Sequence, residues 1–292
     1  MADPGETNHV TIEVGDPSGT EIEDTGATIT PGSGCTPITA NKVRCSDPDE
    51  VIEAMLGDGD DFLANDAVGR SVLRGGDGDD RIDGTDFNSY GEREYLFGDA
   101  GNDTLRGRGG SDVLNGGSGA DLMSGGTSCD QETAGLCFLN TDTVSYAGRV
   151  NRVRADADIE PADDGELGEG DTVMADVERI VGGKGNDVLG GITTNFEHFG
   201  YSGIRHLVGM TLEGRDGNDR LRGTRAPDTI LAGAGDDTIG GRRGRDLLRG
   251  GLGEDRFFAR DHRRDGVRGG PGADSARVDL QLDVTRSLQT FF

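Results

Sequence analysis

The sequence predicts an all-β fold of short strands stacked on glycine-rich turns. Three observations carry that expectation. From Gly214 to Arg277 the chain repeats every nine residues: GRDGNDRLR, GTRAPDTIL, AGAGDDTIG, GRRGRDLLR and GGLGEDRFF, then, after the extra residue Ala259, RDHRRDGVR and GGPGADSAR. Every unit carries Asp at its sixth position, and all but the last (which has Ala276) carry a large apolar residue at the eighth. Glycines crowd the first half of the unit. A fixed period held in one phase is a fold signal in itself.

The two halves of a unit have different physical roles. Residues such as Arg220-Leu221-Arg222 read polar-apolar-polar, a minimal strand with one side chain inward. One unit cannot fold alone, but stacked units bury a ladder of Leu221, Ile230, Ile239, Leu248, Phe257 and Val267. In the other half, glycine permits tight turning and close backbone approach. Such a turn presents carbonyl oxygens and the Asp adds a carboxylate, hard oxygen ligands that suit Ca²⁺.

These units follow the G-G-x-G-x-D-x-U-x pattern, and the sequence resembles the RTX, or haemolysin-type, calcium-binding repeat family. The resemblance implies a parallel β-roll in which two units make one turn and Ca²⁺ sits between loops stacked on the same side. It also implies that sixth-position Asp side chains from units two apart, with loop carbonyls, hold each ion. Asp219, Asp237 and Asp255 would line one edge, continuing to Asp274; Asp228, Asp246 and Asp265 would line the other.

Residues 1–54 lack the repeat. Val10–Val14 and Ala27–Thr30 alternate as strands do, and Pro31–Cys35 reads as a turn. We expect a small β cap here, stapled by Cys35–Cys45, because the open end of a roll exposes its last apolar layer and unpaired strand edges. The GxGC…xxVxC segment, followed by an apolar strand and GDGDD, resembles the leader of secreted actinobacterial calcium-binding repeat proteins. A first roll run is expected over 55–126. LGDGDDFLA supplies Asp61 and GGDGDDRID supplies Asp80; GDAGNDTLR, GRGGSDVLN and GGSGADLMS supply Asp103, Asp112 and Asp121. Ser71 and Glu94 occupy Asp slots, so metal occupancy is expected to be weakest near Ser71. An insertion containing Phe87 and Tyr90 precedes Glu94.

Over 127–181 the period is lost. Cys129–Cys137 would close a projecting loop, and Asp142 followed by Thr143-Val144-Ser145 again looks like an Asp and its short strand. The acidic run Asp163–Asp171 reads either as a further calcium loop or as a solvated acidic loop. DTVSYAGR…DDGELGEGDTV…ADVERIVGGKGND resembles an insertion that recurs in the same secreted family. A second roll run spans 182–277, opening with GGKGNDVLG and Asp187, and is interrupted by an insertion over 191–213. That insertion gathers Phe196, His198, Phe199, Tyr201 and His206; it reads as a loop over the flank of the roll or as a surface for a glycan or partner. Val278–Val284 alternates, so 278–292 is expected to contribute a closing strand.

Composition sets limits on function. The chain has 292 residues with 52 glycines, 32% hydrophobic residues, no Trp and a net charge of −26. That is thin for a conventional core, and the charge opposes compaction. We therefore expect a chain that is loose without Ca²⁺ and ordered with it, holding about eight ions by counting edges. No basic run with interleaved aromatics speaks for nucleic acid, and no apolar run is long enough for a membrane span. Cysteines paired closely in an otherwise cysteine-free chain predict two disulfides and an oxidising compartment; the alternative is four free thiols in a reducing one. Zinc fits poorly, with no C-x₂-C spacing and no His nearby. Met1-Ala2-Asp3-Pro4 reads as an initiator Met before a mature N-terminus, with a secretory signal removed.

P-loop, G-x-S-x-G and EF-hand patterns are all missing, and the chain is not expected to be an enzyme. The leading expectation is a secreted calcium-binding structural or interaction protein, with self-association at the cell surface as a variant. Alternatives are a module, catalytic or not, of an extracellular polysaccharide- or lipid-acting enzyme, and a calcium-dependent glycan or adhesin module.

Overall fold

Nine-residue units alternate between turn and strand, and the chain coils accordingly. The computed structural model describes residues 5–15, 19–32, 34–45, 51–67, 69–86, 93–126, 141–158, 160–191, 198–199, 205–206 and 209–291. Among these residues the fold is all-β, a parallel β-solenoid without helices. The chain divides into two compact units, Met1–Asp142 and Thr143–Phe292.

In the first unit, successive strands fall alternately in two parallel sheets. Phe62–Asn65, Arg81–Asp83, Thr104–Arg108 and Leu122–Gly126 pair in register in one. Ile52–Asp58, Ser71–Asp77, Glu94–Ala100 and Val113–Ser118 pair in the other. The eighth-position residues Leu63, Ile82, Leu105 and Met123 from one sheet, and Leu73, Leu96 and Leu114 from the other, are all fully buried. This apolar ladder is the core. Hydrophobic burial along it is the main favourable term holding the turns together.

The N-terminal segment closes this unit. His9–Gly15 joins the first sheet in parallel with Phe62–Asn65. It also pairs antiparallel with Gly19–Asp24, which pairs with Lys42–Cys45, which pairs with Cys35–Thr39. The Cys35–Cys45 disulfide ties the last two, and Glu21 forms ion pairs with Lys42 and Arg44. The alternating stretch Val10–Val14 is thus a strand. Ala27–Thr30 is not: Asp24 Oδ1 accepts from Gly26 N (2.8 Å) and Ala27 N (3.2 Å), turning the chain there, and Gly19–Asp24 supplies the second strand instead. The Cys129 and Cys137 pair, with Phe87 and Tyr90, lies outside the described residues.

In the second unit one sheet runs from Thr143–Ser145 through Arg179–Val181, Thr211–Asp216, Thr229–Ala234, Leu247–Leu252 and Gly266–Arg268 to Val284–Arg286. The other runs from Val153–Asp156 through Val188–Gly190, Arg220–Arg222, Thr238–Gly240, Arg256–Phe258 and Ser275–Arg277 to Thr290–Phe291. The apolar ladder divides between them: Ile230, Leu248 and Val267 on one side, Leu221, Ile239, Phe257 and Ala276 on the other, all buried. The solenoid continues through residues where the nonapeptide period is lost, because Thr143–Ser145, Val153–Asp156 and Arg179–Val181 still pair in parallel.

Two expectations change in this unit. Val278–Asp283 is not a strand: Leu282 N and Asp283 N both donate to Asp279 O (2.8 and 2.9 Å), making a turn, and the closing strands of 278–292 come later, at Val284–Arg286 and Thr290–Phe291. The acidic run Asp163–Asp171 is split: Asp164 and Asp171 are buried, while Leu167 at its middle is fully exposed. Asp164 Oδ1 accepts from Asp156 N and its Oδ2 from Val173 N, each at 2.8 Å, while Tyr146 Oη donates to Asp171 Oδ2 at 3.1 Å. Within 191–213, His198–Phe199 pairs antiparallel with Arg205–His206; the aromatic side chains of that insertion lie outside the described residues.

Candidate calcium sites on the loop edges

A parallel stack places the same position of same-edge units one strand spacing apart, about 4.8 Å. The sixth-position Asp side chains exploit this spacing. Each Oδ1 accepts the backbone N–H of the residue in the corresponding slot one turn earlier. In the first unit the chain of bonds runs Asn8 N to Asp61 (2.6 Å), Asp61 N to Asp80 (2.9 Å), Asp80 N to Asp103 (2.8 Å) and Asp103 N to Asp121 (2.9 Å). In the second it runs Asp187 N to Asp219 (2.7 Å), Asp219 N to Asp237 (2.7 Å), Asp237 N to Asp255 (3.1 Å) and Asp255 N to Asp274 (3.0 Å). On the opposite edge Asp228 N donates to Asp246 (3.0 Å) and Asp246 N to Asp265 (2.9 Å). Asp112 N donates to Asp142 (2.8 Å) on the corresponding edge of the first unit.

The second carboxylate oxygen decides the chemistry. Oδ2 of Asp61, Asp80, Asp103, Asp112, Asp219, Asp237, Asp246, Asp255, Asp265 and Asp274 is buried without a hydrogen-bond partner. An orphaned buried oxygen is costly and calls for a cation or a proton. Backbone carbonyls share the space between loops. A Cβ added at Gly235, where φ is +134°, would overlap Gly217 O, and one at Gly253 would overlap Gly235 O. Only glycine lets successive loops approach so closely. Among the described residues no three His, Cys, Asp or Glu side chains gather as a metal cluster. The donor set is therefore carboxylate plus backbone carbonyl, all hard oxygen, which fits Ca²⁺ and not a thiolate- or imidazole-seeking metal.

Electrostatics agree. Burial, reinforced by neighbouring carboxylates, pushes Asp103, Asp219, Asp237, Asp246 and Asp265 up to about 7. The same causes push Asp80 and Asp255 to about 6 and Asp112 to about 9. A divalent cation in the gap would supply the charge these groups lack and reverse that shift.

The slots are not equivalent. Asp187 Oδ2 accepts from Gly183 N (2.7 Å) and Asp228 Oδ2 from Thr224 N (2.6 Å), so both of their oxygens are engaged by the protein. At the irregular slots the longer Glu94 reaches across: Ser71 Oγ and Asn65 Nδ2 each donate to its Oε1 at 2.7 Å, and Thr85 N donates to its Oε2 at 2.6 Å. Burial raises the Glu94 carboxyl.

Sequence reasoning placed the Asp columns but missed their ends. Asn8 caps one column, Asp283 Oδ1 accepts from Asp265 N (3.0 Å), and Gln289 Oε1 accepts from Asp274 N (2.6 Å). It also missed a second ladder at the fifth position, where Asp60 Oδ1 accepts from Asp79 N (2.9 Å), Asp79 Oδ1 from Asn102 N (2.7 Å) and Asn218 Oδ1 from Asp236 N (2.8 Å). The signal was present as Asp or Asn at that position.

The RTX calcium-binding nonapeptide repeat matches this chain in four copies, at residues 91–127, 174–191, 213–248 and 241–261. The chain carries RTX repeats. It is accordingly a calcium-binding β-roll protein. Asp61, Asp80, Asp265 and Asp274 lie outside those matches, yet they join the same hydrogen-bonded columns as the matched RTX residues. No curated protein matches the chain.

Proposed function

We propose that this chain is a secreted scaffold that becomes rigid when Ca²⁺ fills the gaps between same-edge loops, and that it acts by stoichiometric binding rather than turnover. The observation that supports this reading most directly is the column of buried, unpartnered Oδ2 atoms facing stacked loop carbonyls. Asp61, Asp80, Asp103 and Asp121 in the first unit, and Asp219, Asp237, Asp255 and Asp274 in the second, would hold the tightest ions. Asp112, Asp246 and Asp265 would hold further ones. Asp187 and Asp228, with both oxygens engaged, and the slots around Ser71 and Glu94 would hold the weakest. Calcium supplies positive charge where buried carboxylates repel one another, so its binding free energy becomes folding free energy.

Secretion is supported by the Cys35–Cys45 disulfide, since such bonds persist in oxidising compartments and extracellular Ca²⁺ is high enough to fill weak sites. Self-association at a cell surface is the extension of this role. The test is a calcium count by equilibrium titration, paired with far-UV circular dichroism in calcium and in chelator. Several ions per chain and a large gain of β signal are expected. One ion or none, with an unchanged spectrum, refutes the reading.

A further inference from the structure

Three consecutive loops on one edge of the second unit break the acidic character of the chain. GTRAPD, GRRGRD and RDHRRD place Arg225, Arg243 and His262 at the third position, and Arg245 and Arg264 at the fifth. Stacking aligns them in two columns, one strand spacing apart. On the opposite edge the same positions hold Asp216, Asp236 and Glu254. The fold thus gathers basic side chains at loop positions that are acidic or neutral on the opposite edge.

The columns line a cavity of about 630 Å³, formed by Arg225, Pro227, Arg243, Gly244, Arg245, His262, Arg263, Arg264 and Leu282. Here Arg260 pairs with Asp279 (3.8 Å) and His262 Nδ1 lies 3.6 Å from the same carboxylate; among the described residues Arg243, Arg245, Arg263 and Arg264 pair with no carboxylate. Beside them Arg242 Nη1 is buried without a hydrogen-bond partner, and burial together with Arg222 and Arg225 lowers the Arg242 pKa. Arg245 and Arg264, one strand spacing apart and without a carboxylate partner among the described residues, repel one another, and folding alone gains nothing from that pair. In a chain of net charge −26, no carboxylate of the described residues comes within ion-pair distance of Arg243, Arg245, Arg263 or Arg264, although Asp261 and Asp279 lie on the same edge.

We propose that this edge is a binding site for an acidic polysaccharide, a linear chain bearing repeated carboxylate or sulfate groups. Guanidinium forks match such oxyanions bidentately. The columns repeat once per loop at a spacing close to the length of one sugar unit, so consecutive loops can take consecutive acidic sugars. No Phe, Tyr or Trp among the lining residues offers a broad stacking platform for nucleobases. The same loops carry Asp228, Asp246 and Asp265, so each variant's calcium count is measured beside its glycan binding: loss of glycan binding at an unchanged calcium count bears on this proposal alone.

The experiment uses the full chain at saturating Ca²⁺. Binding of a sulfated heparin-type oligosaccharide and of an oligouronate is measured by calorimetry across a salt series. The variant R243Q/R245Q/R264Q is compared with a charge-matched control, R70Q/R152Q/R286Q, with circular dichroism confirming that both fold. The expected result is wild-type binding to at least one probe, weakened tenfold or more and with a shallower salt slope in the first variant only. Equal weakening in both variants, no binding by the wild type, or tighter binding of single-stranded DNA of equal charge would each overturn the proposal. A calcium-dependent oligomer lost in the first variant, without glycan binding by the wild type, would overturn it in favour of a second copy of the chain.

Discussion

Asp237→Asn should have opposite effects with and without calcium. Asp237 is 1% exposed, its Oδ1 accepts from Asp219 N at 2.7 Å, and its Oδ2 has no partner. Burial, with Asp219 and Asp255 nearby, pushes its pKa from 3.8 to about 7. Ionising it in the calcium-free roll at pH 8 therefore costs about 2–4 kcal/mol. Asn keeps the Oδ1 acceptor and removes the charge, but its amide faces the gap without an acceptor, at a cost of about 1 kcal/mol. The calcium-free variant should gain about 1–3 kcal/mol at pH 8, and the gain should vanish near pH 5, where the Asp of the parent is protonated. With calcium the sign reverses. A site held at a hundredfold excess over its Kd contributes about 2.7 kcal/mol, and the variant forfeits most of that. The assay is far-UV ellipticity in chelator together with the urea midpoint in saturating calcium. The variant should show more β signal in the first condition and a lower midpoint in the second. Destabilisation in both conditions would mean that Asp237 is a structural cap and not a ligand.

Two further outcomes follow from the same geometry. Gly235→Ala places a Cβ against Gly217 O at a φ of +134° and should cost on the order of 2–3 kcal/mol in urea denaturation; Gly148→Ala, with nothing within 4 Å, should stay within about 0.5 kcal/mol. For Asp103, Asp219, Asp237, Asp246 and Asp265 the folded pKa of about 7 lies above the unfolded 3.8, so the folded calcium-free chain binds more protons between those values. Its stability should rise as pH falls from 8 towards 4, whereas protons compete with calcium and the calcium affinity should fall over the upper part of that range. A pH titration of ellipticity, with chelator and with calcium, reads both, and parallel curves would exclude proton–metal competition in the columns.

The sequence by itself determined the repeat phase, and from it the parallel roll, the buried eighth-position ladder and the sixth-position Asp columns. It could do so because a stack of identical turns makes sequence period and spatial register the same quantity. Where the period fails, only the tertiary structure decided. Thr143–Ser145 and Val153–Asp156 continue the sheets without the motif, since a short apolar-centred strand needs only a neighbouring edge to pair with. Val278–Asp283 alternates like a strand yet turns, because Asp279 accepts two backbone N–H groups and thereby delivers Asp283 to the end of an Asp column. Asn8 and Gln289 close two other columns from segments with no repeat at all. The arginine edge was equally hidden: its residues belong to every second unit, and only coiling two units per turn brings them onto one side.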